Sequence, residues 1–370
     1  MKNSNYLLSA VALAVCMLSA GTCYGQGGEE KTPEVKNVIF MIGDGMGLAH
    51  VAATTIANNY EPLQLERAQF VGLSKTYSAN NRVTDSAAGG TALATGVKTY
   101  NGAVGVDTAK QAVRSILEKA EDNGKATGMV VTCSVTNATP ATFIAHVESR
   151  KMEEEIAEYY LKTDIDVFMG GGVKFFKDRS DNRDLTKELE SKGYTIVYTL
   201  DDLLSFKDDR LGALLAENAM PKMSEGRGDY LPLATGKALE LLKHNSPKGF
   251  FLMVEGSMID GGGHKNDAVM VIDETLDFDK AVGAAFDFAD NNPGTLVVVT
   301  ADHETGGLSL PSGKPDFSLP DQGVKFAFST GGHTGIFVPI YAYGAGAEYF
   351  SRILENTDIP KIMERLTGWK

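Results

Sequence analysis

Five short apolar runs in this chain each stop at a polar residue or a glycine turn, and that recurrence constrains the fold more than any other feature. Val38-Ile39-Phe40-Met41-Ile42 runs into Gly43-Asp44-Gly45, and Met129-Val130-Val131 leads towards Asn137-Ala138-Thr139-Pro140. Val167-Phe168-Met169 ends in Gly170-Gly171-Gly172, Phe250-Phe251-Leu252-Met253-Val254 in Glu255-Gly256, and Leu296-Val297-Val298-Val299-Thr300 in Ala301-Asp302-His303. Short continuous apolar runs mark strands covered on both faces of a parallel sheet. Helical patterns at 109–123, 230–244 and 267–291 lie between them. The alternation predicts an α/β fold: a central, mostly parallel sheet with helices on both faces. Such sheets bind ligands beyond the carboxyl ends of their strands. Asp44, Thr139, Glu255, Asp302 and His303 therefore gather along one edge and form one wall of a site.

The stretch Arg82-Val83-Thr84-Asp85-Ser86-Ala87-Ala88-Gly89-Gly90-Thr91 sets a candidate hydroxyl nucleophile, Ser86, beside a carboxylate at the head of a run of small residues. Asp85 and Ser86 suit a helix cap, and residues 87–95 suit a closely packed helix. No Ser-His-Asp arrangement surrounds Ser86, so its hydroxyl needs another activator. Three of the six histidines stand in contexts suited to metal ligation. Asp260-Gly261-Gly262-Gly263-His264 carries three glycines, which predict a loop that wraps an ion. Asp302-His303 offers adjacent ligands at a strand end, and Gly331-Gly332-His333 precedes an apolar stretch at 336–343. Imidazole with carboxylate suits zinc, and the three groups together predict a polynuclear centre. His50, His146 and His244 lie in helix-like stretches and read as structural.

Thirty-five basic against 48 acidic side chains leave a net charge of −13, which excludes a nucleic-acid-binding footprint. Bound divalent cations would reverse that field locally for an anionic substrate. At the N-terminus a basic start, an apolar run at 6–20 and small residues to position 25 fit a secretory signal peptide over residues 1–25. That run is shorter than the about 20 apolar residues of a membrane span, and no later stretch is long enough. Thr22 before Cys23 argues against lipid anchoring at that cysteine. The reading is an exported protein, periplasmic or secreted, left with Cys133 alone and no intramolecular disulfide. Residues 26–370 read as a single domain with a charged, Asp-rich peripheral insertion around 174–223.

In their order and spread these motifs closely resemble the alkaline phosphatase family. The resemblance rests on Ile42-Gly43-Asp44-Gly45-Met46-Gly47, Thr84-Asp85-Ser86-Ala87-Ala88, Ala138-Thr139-Pro140 and His146-Val147-Glu148-Ser149-Arg150. It continues through Glu255-Gly256, Ile259-Asp260, His264, Thr300-Ala301-Asp302-His303 and His333-Thr334-Gly335. It implies a metal-dependent phosphomonoesterase that hydrolyses small phosphate monoesters through a phosphoserine on Ser86, with two zinc ions and one magnesium. It also implies Asp260, His264 and His333 on one zinc, and Asp44, Ser86, Asp302 and His303 on the other. Asp44, Thr139 and Glu255 would hold magnesium, Arg150 would grip the phosphate and Asp85 would orient Arg150. Two positions depart from the family: Asn137 stands where relatives carry Asp or His, and Gly261 where Lys or His is usual. The departures imply weaker retention of inorganic phosphate and a changed metal preference at the third position. The link from Asp302 to His333 is too short for the large insertion that some relatives carry, and monomer and homodimer both stay open. Related sulfatases carry Cys/Ser-x-Pro-x-Arg, whereas Ser86-Ala87-Ala88-Gly89-Gly90 has neither Pro nor Arg.

Overall fold

The computed structural model describes residues 34–314 and 323–369; the signal peptide expected at 1–25, with Cys23, lies outside them. Ten strands form one sheet: Asn37–Gly43 (β1), Phe70–Lys75 (β2), Ala126–Ser134 (β3), Val167–Gly171 (β4), Thr195–Val197 (β5), Leu211–Leu214 (β6), Phe250–Gly256 (β7), Thr295–Thr300 (β8), Val338–Gly344 (β9) and Ile353–Glu355 (β10). Their spatial order is β10-β2-β9-β8-β1-β7-β3-β4-β6-β5. Every pairing is parallel except those of β9, which runs antiparallel to both β8 and β2. The principal helices are Leu48–Ala57 (α1), Ser86–Thr95 (α2), Ile116–Asp122 (α3), Tyr230–Asn245 (α4), Ile259–His264 (α5), Ala268–Asn291 (α6) and Asp358–Thr367 (α7).

Strand side chains alternate between two cores. Val38, Phe40 and Ile42 of β1 join Met253 and Val298 beneath α2, α3 and α7, which contribute Leu93, Ile116 and Met363. Ile39 and Met41 join Leu252 and Val299 on the other face, under Leu231 and Ala238 of α4 and Val282 and Phe286 of α6. With both faces covered, β1, β7 and β8 read as unbroken apolar runs instead of alternating ones.

The register places the chemistry. Ile42 pairs with both Glu255 and Thr300, so the chain leaves β1, β7 and β8 along one edge carrying Asp44, Glu255 and Asp302. Because β9 is antiparallel, the residues that precede it, His333 included, arrive at that same edge. The stretch 174–223, expected as a peripheral insertion, supplies β5 and β6 at the border of the sheet. Among the described residues, no helix is long and apolar enough to cross a membrane.

Candidate metal centre

Ser86 opens α2. The Asp85 carboxylate caps that helix by accepting from the Ala88 N–H at 3.0 Å, and all ten helix residues are buried. The small residues are needed for close approach: a Cβ on Gly89 would lie 3.0 Å from the Asp302 carbonyl oxygen, and one on Gly90 3.0 Å from the Thr142 hydroxyl. This packing holds the buried Ser86 Oγ 3.2 Å from His303 Nε2. The same nitrogen lies 3.1 Å from Asp302 Oδ2 and 3.4 Å from Asp44 Oδ1.

A correction concerns Asp260 and His264. The glycine run between them is helical, forming α5, so the two side chains sit one turn apart on one face with His264 Nε2 3.2 Å from Asp260 Oδ2. His333 Nε2 is 3.2 Å from His264 Nε2 and 3.5 Å from Asp260 Oδ1. A two-stranded ribbon, Glu304–Thr305 against His333–Thr334, ties His333 to the segment bearing Asp302 and His303. Two groups converge within ligand spacing, Asp260-His264-His333 and Asp44-Asp260-His303, and they share Asp260.

Each imidazole is oriented the same way. His264 Nδ1 donates to the Gly331 carbonyl at 2.8 Å and His333 Nδ1 to the Thr84 carbonyl at 2.8 Å. The Thr305 hydroxyl donates to Asp260 Oδ1 at 2.5 Å, so its oxygen accepts from His303 Nδ1 at 3.2 Å. In all three rings Nδ1 is anchored to an oxygen and Nε2 faces the carboxylates, the orientation of a metal-ligating histidine. Around them, Asp44 Oδ1, Asp302 Oδ2, Glu255 Oε1 and Thr139 Oγ1 are buried with no hydrogen-bond partner. Buried polar atoms rarely stay unpaired, so this set of oxygens and nitrogens fits a group of cations.

The electrostatics agree. Burial, then the charges of Asp302, Asp260 and Glu255, push the Asp44 carboxyl well above its ordinary range. Burial likewise pushes Glu255 up to about 7, although bonds from Ser257 and Cys133 pull it back. For Asp260 burial also opposes the charged form, but the His264 bond, the His303 charge and the Thr305 bond together hold it low.

Arg150 stands at the rim. Its Nη1 is 3.4 Å from Asp85 Oδ2 and its Nη2 3.5 Å from Asn137 Oδ1, contacts long enough to leave guanidinium donors for an anion. Asn137 also caps the short helix Ala138–Ala141, its amide oxygen accepting from the Ala138 N–H at 2.7 Å. Gly261 has room: a Cβ there would meet only the Met270 methyl, at 3.1 Å.

The sequence did not single out Thr305, whereas it placed Gly45 in a tight turn after β1. Thr305 follows His303 by two residues, and its hydroxyl lies 3.2 Å from His303 Nδ1. Gly45 has φ +74°, and a Cβ there would lie 2.9 Å from the Asp260 Cα. Thr305→Val removes the hydroxyl shared by Asp260 and His303 and is expected to weaken metal binding about 10- to 100-fold, read by titration against a competing chelator. An unchanged affinity would show that both ligands are held without it.

A family model described as alkaline phosphatase matches residues 35–320. Alkaline phosphatase 3 of Bacillus subtilis is 36% identical, over 96% of this chain and 94% of its own length. The alkaline phosphatase of Escherichia coli is 33% identical, over 90% of this chain and 86% of its own. In structure, the alkaline phosphatase from the Antarctic bacterium TAB5 superposes with a TM-score of 0.87 at 43% identity, covering 91% of this chain and 99% of that one. A mutant of that enzyme with Mg bound in its M3 site gives a TM-score of 0.86 at 42% identity, covering 92% and 100%. The chain belongs to the alkaline phosphatase family and is a phosphomonoesterase.

Proposed function

We propose that this chain is an exported phosphomonoesterase that hydrolyses small phosphate monoesters through a phosphoserine on Ser86, with two zinc ions and one magnesium. The observation that carries the reading is the pair of ligand groups Asp260-His264-His333 and Asp44-Asp260-His303, with buried unpartnered carboxylate oxygens beside them and Ser86 Oγ 3.2 Å from His303 Nε2. Asp260, His264 and His333 would hold one zinc; Asp44, Ser86, Asp302 and His303 the other. The oxygen-only set Asp44, Thr139 and Glu255 suits magnesium. When bound, the ions supply positive charge that acidifies the serine hydroxyl and the hydrolytic water and stabilises the leaving oxygen.

The chain's own residues do the rest. Ser86 Oγ attacks phosphorus as the bond to the alcohol oxygen breaks, and that oxygen leaves with a proton as the alcohol. Water then attacks phosphorus from the vacated side, releasing inorganic phosphate and restoring Ser86. Throughout, Arg150 presents its fork to two non-bridging oxygens, where charge accumulates, with Asp85 and Asn137 holding it from two sides. Export is inferred from the leader at 1–25.

The test compares initial rates on p-nitrophenyl phosphate, bis-p-nitrophenyl phosphate and p-nitrophenyl sulfate, before and after chelation and after reloading with zinc and magnesium. The monoester is expected to dominate, its hydrolysis to vanish on chelation and to return with both metals. Dominant diester or sulfate hydrolysis, or chelator-resistant activity, would overturn the reading.

A further inference from the structure

We propose that His146 is a positioning residue for Arg150: as a doubly protonated imidazolium it pins the ribbon that carries Arg150 and so sets how tightly the site holds phosphate. The inference rests on the reading of Arg150 as the residue that grips phosphate.

His146 lies outside any helix, contrary to the helix-like context of its sequence. Its Nδ1 is 2.7 Å from the Gly105 carbonyl oxygen and its Nε2 is 3.1 Å from Glu118 Oε1. A carbonyl and a carboxylate offer no proton, so both ring nitrogens must donate, and only the imidazolium can do that. The approach needs a glycine: Gly105 has φ +61°, and a Cβ there would lie 2.0 Å from the Ala145 carbonyl oxygen and 2.8 Å from His146 Nδ1.

Glu118 is a rigid anchor. It belongs to the capping box of α3, where its Oε2 accepts from the Ser115 N–H at 2.7 Å while Ser115 Oγ accepts from the Glu118 N–H at 3.1 Å. From this pin the ribbon runs to the guanidinium. Val104 and Val147 exchange backbone bonds of 3.0 and 2.9 Å, and the Arg150 N–H donates to the Gly102 carbonyl at 2.8 Å. The Gly102 N–H donates to Asp85 Oδ1 at 3.0 Å, and Asp85 Oδ2 faces Arg150 Nη1. Residues 102–105 therefore take the His146 tether at one end and, at the other, hold the backbone of Arg150 and the carboxylate that aims it.

The groups facing His146 are few. Arg114 Nη1 stands 3.8 Å from the same Glu118 oxygen and opposes the imidazolium charge. The Tyr159 ring meets the imidazole edge-on at 5.8 Å, and its hydroxyl donates to the His146 carbonyl at 2.9 Å. Burial works against a charged His146, but the Glu118 bond, the Gly105 bond and the Glu118 charge hold it above the ordinary value of 6.5. The sign follows: the pin is complete below 6.5 and is lost as pH rises through the higher folded-state value. Grip on the phosphate product then loosens as pH rises through that value.

The experiment measures the inhibition constant of inorganic phosphate, with KM and kcat on p-nitrophenyl phosphate, from mildly acidic to strongly alkaline pH. It uses the metal-loaded protein, His146→Gln, Arg150→Ala and the double variant. His146→Gln is expected to raise the phosphate constant and KM about tenfold at pH values below the ordinary histidine value, with kcat changed less. The gap to native should close as pH rises, and His146→Gln should change nothing in the Arg150→Ala background. An equal effect in that background, or a gap that ignores pH, would overturn the proposal. If Arg150→Ala alone leaves phosphate inhibition untouched, the reading of Arg150 falls and takes this inference with it. Should His146→Gln not fold, Glu118→Gln keeps an oxygen on Ser115 but removes the charge that holds the second proton, and the same pattern is expected of it.

Discussion

Replacing Ser86 with alanine is expected to lower kcat/KM on p-nitrophenyl phosphate about a thousandfold or more, and to abolish transfer of labelled phosphate to the protein. Losses of that size, about 4 kcal/mol of transition-state stabilisation, are typical when a covalent nucleophile is removed. The geometry leaves little slack for a substitute. Ser86 is buried at the first position of α2, its Oγ fixed 3.2 Å from His303 Nε2 by a helix whose glycines press on Asp302 and Thr142. Water in the space freed by alanine would lack the backbone that aims the serine oxygen. Stopped reactions with a labelled monoester, followed by acid precipitation of the protein, read the covalent step directly. If the variant keeps most of its rate, water attacks the monoester directly and the phosphoserine route is wrong, while the metal site stands.

The edge of the sheet was legible because β1, β7 and β8 announce themselves as unbroken apolar runs, and topology then places whatever follows each of them. Asp44, Glu255, Asp302 and His303 could thus be grouped before any contact was known. The Asp260–His264 turn was misread because its glycines looked like flexibility. They are instead required by packing: a Cβ on Gly262 would lie 2.8 Å from the Val271 backbone nitrogen, and one on Gly263 2.7 Å from the Thr305 carbonyl oxygen. Tertiary contact overrode the poor helix propensity of glycine. The strands at 195–197 and 211–214 escaped notice because they are short and β5 is only half covered, so neither shows a full apolar period. What Thr305 and His146 touch was hidden for another reason. Their partners Asp260, Gly105 and Glu118 are 28 to 45 residues away in sequence, and only folding brings them together.

Arg227→Ala is expected to destabilise the fold by about 3–5 kcal/mol at neutral pH, the cost of leaving buried charge unpaired. The Arg227 side chain is 1% exposed, and its Nη2 bonds both Glu274 and Asp277 of α6, the latter at 2.7 Å. Its Nη1 donates to the Pro221 carbonyl at 3.0 Å, and the Met223 N–H donates to Glu274 Oε1 at 2.9 Å, so the group also fastens the approach to α4 onto α6. Asp277 Oδ1 already lacks a partner, and burial, resisted by Arg227, raises the Asp277 carboxyl. Without the guanidinium that carboxyl rises further above its unfolded value. A raised carboxyl binds more protons folded than unfolded, so the variant loses stability as pH rises from the ordinary carboxylate range. Urea unfolding midpoints of native and variant should therefore converge on acidification and separate towards neutrality. A second variant isolates the cause: Arg227→Met with Glu274→Gln and Asp277→Leu removes both charges along with their partner, and should recover most of the loss. If the single variant loses stability equally at every pH, or the triple variant recovers none, the effect lies in packing and not in the buried charges.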